Sequence, residues 1–130
     1  MTHSNEKTLR GLYAKFAQGD IAGFLDGCAD AVTFYVPGNA AVSGSFSKAT
    51  FTDLLAHVME RSGGTFREDV LDVFANEEHG VLLLHHHFER DGKARSYETD
   101  HVIEFADGKI ASWSEHPGSL AEFEEAWGAA

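Results

Sequence analysis

The sequence predicts an α+β domain in which a cone-shaped, curved antiparallel sheet wraps N-terminal helices. Two observations carry this. Apolar residues recur at helical spacing as far as Met59 and at strand spacing from Thr65 onward, and the strand half is punctuated by two Asp-Gly pairs that mark consecutive hairpins. Helices followed by a meander of long strands bury their apolar stripes on one face of the sheet, and whatever part of its concave side they leave uncovered is a pocket.

Leu9, Leu12, Tyr13, Phe16 and Ala17 form one face of a first helix that stops at Gly19. Asp20 is the expected N-cap of a short second helix carrying Ile21, Phe24 and Leu25. Val32-Thr33-Phe34-Tyr35-Val36 is β-branched and aromatic, reads as a strand, and ends at Pro37-Gly38. After a Gly/Ser-containing stretch, Phe51, Leu54, Leu55, Val58 and Met59 repeat the helical spacing, and Gly63-Gly64 ends that helix. Residues 65–75, 80–89, 94–106 and 109–116 are strand-like, separated by Asn76-Glu77-Glu78, Asp91-Gly92 and Asp107-Gly108. Ser119 and Glu122 have capping-box spacing ahead of a last helical stripe of Leu120, Phe123 and Trp127. No linker or repeat divides the chain, so residues 1–130 are expected to form a single domain.

The 130 residues carry a formal net charge of -11, and 43% of them are apolar, enough for a real core. Residues 1–65 hold six acids against five bases, and residues 66–130 hold 15 acids against five, so the excess sits in the strand half. Such a surface repels phosphate backbones, which makes nucleic acid and anionic membrane poor partners. The longest unbroken apolar stretch, Val81–Leu84, is far too short to span a bilayer, and a basic-then-apolar leader is missing, so a cytoplasmic location is expected. The lone Cys28 has no internal disulfide partner and reads as a small buried apolar residue.

Glycine-rich phosphate loops, Cys-pair metal motifs and a Gly-x-Ser-x-Gly elbow are all missing, which disfavours phosphoryl transfer and dinucleotide chemistry and leaves no cofactor to expect. What remains is a set of ionisable residues inside otherwise apolar strands: His85, His86, His87, Glu98, Asp100, His101, Glu115 and His116. A two-residue turn at Asp107-Gly108, flanked by Ala106 and Lys109, sets Asp100 opposite Glu115 and Val102 opposite Trp113. Two carboxylates side by side in a dry cavity raise the pKa of at least one, giving an acid/base near neutral pH; a three-residue turn would break the pair. His85 and His87 share a face, as a strand presents two imidazoles to zinc, with His101 or His116 as a third ligand. Without a fixed spacing to another ligand, the favoured reading of these two is exposed or subunit-interface histidines on the sheet's outer face, and no metal site is assigned. His86 points the other way and is the pocket candidate, its alternative being a core histidine bonded to a neighbour such as Glu98. Tyr13 is the hydroxyl aimed into the cone from the first helix, or core with its tip satisfied.

The order of elements resembles the nuclear transport factor 2-like superfamily, in particular its ketosteroid-isomerase-related and SnoaL-like branches. The resemblance rests on Gln18-Gly19-Asp20, Val36-Pro37-Gly38, Phe88-Glu89 before a Gly turn, Asp100-His101, and Asp107-Gly108-Lys109-Ile110 followed by Trp113. It implies a cone-shaped barrel, commonly dimeric through the outer sheet face, in a superfamily of isomerases, cyclases, dehydratases, epoxide hydrolases and non-catalytic binders. In the isomerase, the handling of the oxyanion by a tyrosine and a protonated aspartic acid is well known. By resemblance Asp100 matches that aspartic acid, and Tyr13 lies near the tyrosine with Leu12 as its rival. The isomerase's proton-moving aspartate falls directly before the proline that corresponds to Pro37, where this chain has Val36, so Glu115 or His86 would have to serve as base. The resemblance also places His86, Phe88, Trp113 and Glu115 on the inward side.

The expectation is therefore a small-molecule pocket for an apolar, polycyclic or aromatic ligand bearing a carbonyl or hydroxyl. Leu12, Phe16, Phe34, Val36, Leu55, Met59, Leu84, Phe88 and Trp113 would line it, and Asp100, Glu115, His86 and Tyr13 would form its polar, proton-transferring end. The competing expectation is a non-catalytic ligand-binding or dimerisation module whose polar residues form a closed hydrogen-bond network.

Overall fold

The computed structural model describes residues 3–130. The element order is α1 (Ser4–Ala17), α2 (Ile21–Asp26), β1 (Cys28–Val36), β2 (Gly44–Ser47), α3 (Phe51–Ser62), β3 (Arg67–Ala75), β4 (His79–Arg90), β5 (Lys93–Ala106), β6 (Lys109–Pro117) and α4 (Leu120–Trp127). The six strands form one curved, unclosed sheet in the order β2-β1-β6-β5-β4-β3. The expected α+β architecture is present, with one correction: the sheet is not purely antiparallel, because β1 runs parallel to β6. β1 also begins earlier than expected, at Cys28, and the Gly/Ser-containing stretch contributes the short edge strand β2.

Local chemistry accounts for the element ends. The Asp20 side chain accepts from Gly23 N and opens α2, Gly63 closes α3 at φ 57°, and the Ser119 side chain accepts from Glu122 N to open α4. Both hairpin turns have positive φ at both central residues, 55° and 74° at Asp91-Gly92 and 51° and 77° at Asp107-Gly108. This is the geometry whose twist matches that of the flanking strands.

The helices fill the concave side. Leu9 of α1 is fully buried over Gly80 of β4, where a Cβ would stand 2.6 Å from Leu9 Cδ1, so glycine lets the helix lie close to the sheet. α4 closes one end of the cone. Its Trp127 stacks on Phe88 with ring centroids 4.0 Å apart, and Arg90 donates to the Ala126 and Glu125 carbonyls at the helix C-terminus. Cys28 is buried, and burial pushes its thiol up to about 11, as befits a packing residue. No described helix is long and apolar enough to cross a membrane.

Two irregularities decide which side chains face inward. In the β5–β6 ladder the turn behaves as expected, with Ala106 opposite Lys109 and Phe105 opposite Ile110, but a β-bulge then leaves Ala111 without a partner. Beyond it the register moves by one: Asp100 faces His116, and His101 faces Glu115. The expected Asp100–Glu115 and Val102–Trp113 pairs therefore do not form, since one extra residue on one strand reverses the parity of everything past it. A second bulge, at Leu71, does the same to β3.

Candidate functional site

Period-2 alternation on the three central strands points His86 of β4, Tyr97, Thr99 and His101 of β5, and Trp113 and Glu115 of β6 into the cone, all buried. Glu68 reaches in from β3, opposite His86. With Tyr13 and Phe16 from α1 and Leu54, Leu55 and Val58 from α3, all of these except Thr99 enclose a chamber of about 60 Å³. Tyr13, Phe16, Leu55, Val58, Phe66 and Glu68 also line a wider groove of about 790 Å³ that runs between α1, α3 and β3. The cavity is thus a narrow inner chamber behind a wide outer groove.

Two parallel chains of hydrogen bonds converge on the chamber. In one, Trp113 Nε1 donates to the Tyr13 hydroxyl at 2.9 Å, and that hydroxyl lies 2.7 Å from His101 Nδ1. In the other, Trp127 Nε1 donates to the Tyr97 hydroxyl at 2.6 Å, which lies 3.0 Å from His86 Nδ1, and His86 Nε2 is 2.6 Å from Glu68 Oε2. An indole nitrogen can only donate, so the Tyr13 oxygen accepts from Trp113, and its own proton is free to go to His101 Nδ1 in the tautomer that leaves that nitrogen bare. That tautomer puts the imidazole proton on Nε2, an atom that is buried and has no hydrogen-bond partner. It stands 3.8 Å from Glu115 Oε1, while Glu115 Oε2 accepts from Thr99 Oγ1 at 3.1 Å and lies 3.6 Å from His86 Nδ1.

The charges follow from these neighbours. Burial pushes the Glu115 carboxyl up, but the imidazoles of His101 and His86 and the Thr99 hydroxyl outweigh it, and the group is held below the ordinary carboxylate value. Burial pushes His86 down, but the hydrogen bond and charge of Glu68, joined by the charge of Glu115, hold its imidazole above the ordinary value. The phenols of Tyr13 and Tyr97 are driven well up, chiefly by burial, and remain neutral donors and acceptors. The expectation of a carboxylate raised toward neutrality is corrected in sign, because Glu115 faces imidazoles rather than a second acid.

Of the residues expected at the polar end, Glu115, His86 and Tyr13 meet in the chamber. Asp100 does not: it is half-buried on the outer sheet face, and His101 occupies the inward position beside it. His86 bonds to Glu68 and Tyr97, not to Glu98, which pairs with His85 on the outer face. Phe16, Val36, Leu55 and Trp113 line the chamber, and Met59, 54% exposed, lines the outer groove. Leu12, Phe34, Leu84 and Phe88 are core residues that line neither space, Phe34 sealed by Phe51 and Phe88 by Trp127. Val36 occupies its inward place at the end of β1, so that end of the chamber has no carboxylate.

Sequence reasoning missed Glu68, Tyr97 and Trp127. Tyr97 was readable, since it shares strand parity with His101. Glu68 was not, because counting back by twos from the buried Val73 turns it outward, and only the Leu71 bulge brings it in. Two groups among the described residues have metal-ligand geometry: Glu68, His86 and His101 in the chamber, and Asp69, His85 and His87 on the outer face, each with its ligand atoms within 4.8 Å of one another. In the first, His86 is already bonded through both nitrogens.

The sequence model of the SnoaL-like domain family matches residues 9–113. Among solved structures, Bal32a from a soil-derived mobile gene cassette superposes with a TM-score of 0.88 at 24% identity, covering 95% of this chain and 96% of that one. An NTF2-like protein of unknown function from Burkholderia pseudomallei gives 0.84 at 21% identity over 96% and 98% of the two chains. TerC, co-crystallised with polyporic acid, gives 0.82 at 23% over 94% and 96%. At these identities the likeness is one of fold, and no curated protein matches the sequence.

Proposed function

Because this chain belongs to the family of SnoaL-like domains, we propose that it binds an apolar small molecule in the groove between α1, α3 and β3 and turns that molecule's oxygen-bearing end into the chamber. There Glu115 and His101 move or stabilise a proton beside a carbonyl or hydroxyl, without a cofactor, as an isomerase, cyclase or dehydratase would. The observation that carries the reading is His101 Nε2, a buried donor without a partner 3.8 Å from Glu115 Oε1. A buried polar atom of this kind calls for an oxygen, and a ligand oxygen lodged between the two would accept from the imidazole while facing the carboxylate.

In such a complex Glu115, kept ionised by its neighbours, takes a proton from the carbon next to the carbonyl. His101 donates to the oxygen as the enolate forms, in the role first expected of Asp100, and Glu115 returns the proton to a second carbon. His86, whose charged form is favoured by Glu68, lends a positive field to the chamber. The volume argues in the same direction: about 60 Å³ is far below the roughly 300 Å³ or more of an ordinary small-molecule pocket, so only a tip enters and the body lies in the groove. TerC's co-crystallisation with an organic acid is compatible with this class of ligand.

The test is a fluorescence titration with aromatic and polycyclic ketones and phenols, read through Trp113 at the chamber wall. Saturable quenching is expected, weakened roughly tenfold or more by Glu115→Gln and unchanged by Asp100→Asn; binding indifferent to Glu115→Gln overturns the reading. The narrowness of the chamber favours one alternative, a non-catalytic binding module. NMR separates the two, since catalysis exchanges the α-hydrogen of a bound ketone for deuterium faster than buffer does and a passive site does not. A homodimer through the outer sheet face, where Phe74 is 54% exposed, belongs to the same proposal, and a single-chain mass by light scattering would remove it.

A further inference from the structure

Asp69, His85 and His87 play no part in the chamber, yet they form a second organised cluster on the opposite face of the sheet. His85 and His87 project from the same side of β4 with their rings stacked, centroids 5.5 Å apart and planes 22° from parallel. Asp69, the register partner of His85 on β3, places Oδ2 3.1 Å from His87 Nε2 and 4.0 Å from His85 Nδ1. All three offer ligand atoms within 4.8 Å of one another. A tetrahedral zinc ion with bonds of about 2.0–2.1 Å needs its ligands roughly 3.3 Å apart. The two Asp69 separations lie on either side of that figure and the imidazole ligand atoms come within 4.8 Å of each other, so the set is near zinc-binding spacing.

We propose that Asp69, His85 and His87 bind a divalent first-row transition ion of the zinc class, with its remaining coordination open to solvent. Two imidazoles and one carboxylate suit Zn²⁺, Ni²⁺ or Co²⁺ far better than Mg²⁺ or Ca²⁺, which want oxygen ligands throughout. The ligands stand on paired strands rather than loops, which fixes their spacing. Glu98, opposite His85 on β5, adds a second acid to the same face. Arg67 and Arg95 line the same hollow and lower the affinity, although the Arg67 guanidinium is turned to the Phe66 carbonyl at 3.0 Å. Binding in the micromolar rather than the nanomolar range follows. β3 is an edge strand, so the ion would clip the edge of the sheet to its neighbour β4. This site is independent of the reaction proposed for the chamber.

The experiment is titration of the full chain with Co²⁺, followed by its visible d–d bands, and with Zn²⁺ by calorimetry. One equivalent per chain is expected, with the absorption of a nitrogen- and oxygen-ligated ion. His85→Gln and His87→Gln should each weaken it roughly tenfold or more, and Asp69→Asn by a similar factor. Zn²⁺ should raise the unfolding temperature of the wild type and leave that of His85→Gln unchanged. Glu68→Gln, which alters the inner histidine cluster, should leave the stoichiometry and affinity as they are. Absence of saturable binding, binding that survives both histidine substitutions, or binding abolished by Glu68→Gln would each overturn the assignment.

Discussion

Glu115 and His101 are register partners on β6 and β5, and their side chains stop 3.8 Å apart inside the cone, near enough to attract and too far to bond. The carboxylate lies 3.8 Å from His101 and 3.6 Å from His86, so its removal takes a buried negative charge away from beside both imidazoles. Glu115→Gln is expected to cost roughly 3 kcal/mol of stability, as breaking a buried ion pair from one side commonly does. Urea unfolding near pH 6 measures it, and a loss under about 1 kcal/mol would mean that Glu115 is not held as the ion described.

The same neighbours set a pH window. His86 is raised in the folded chain, so the native state keeps a proton that the unfolded chain releases above about pH 6.5. Its contribution is full below that value and is lost as pH climbs through the higher folded value, stability falling by about 1.4 kcal/mol per pH unit meanwhile. Glu115 is lowered from 4.5, so its contribution is present above that value and disappears as acid carries the pH down through the lower folded value. Stability should therefore be greatest between about pH 4.5 and 6.5, as far as these two groups determine it. Unfolding midpoints across that range for wild type and His86→Gln check this, since the variant should lack the decline on the alkaline side.

Tyr13 joins Trp113 to His101 through a single oxygen. Tyr13→Phe keeps the ring and removes the joint, orphaning a buried indole N–H and a buried imidazole nitrogen, at roughly 1–3 kcal/mol for each. Asp100→Asn, on the outer face, should stay within about 0.5 kcal/mol of wild type. Comparing the two by denaturant titration tests the shifted register directly, because an inward Asp100 would exchange the ranking.

Cys28 is the only thiol, is fully buried and has its pKa pushed up to about 11. It should resist iodoacetamide at pH 8 in the native protein and react at the rate of a free thiol once urea unfolds the chain. Rapid labelling without denaturant would show that the start of β1 opens.

Most of the fold was readable because it depends on local chemistry: helical stripes, an Asp N-cap, a Gly stop and two Asp-Gly turns each have a physical cause within a few residues. The inward face of an unbroken strand was readable too, as the run from Leu82 to Phe88 on β4 demonstrates. What could not be read were the bulges at Leu71 and Ala111, since an unpaired residue leaves no mark in a hydrophobic pattern and exists only relative to the neighbouring strand. Both hid chamber carboxylates: one turned Glu68 outward on paper, and the other assigned Glu115 the wrong partner. The parallel β1–β6 pair was illegible for a related reason, as it joins segments far apart in the chain.

The unpaired Ala111 also sets a rule for editing this chain. Ile110, Trp113 and Glu115 all face inward although an odd interval separates the first two, and the ladder absorbs that oddness at Ala111 alone. Excising this alanine would regularise β6 and keep all three orientations, whereas an insertion just before Glu115 would expel the acid onto the solvent side.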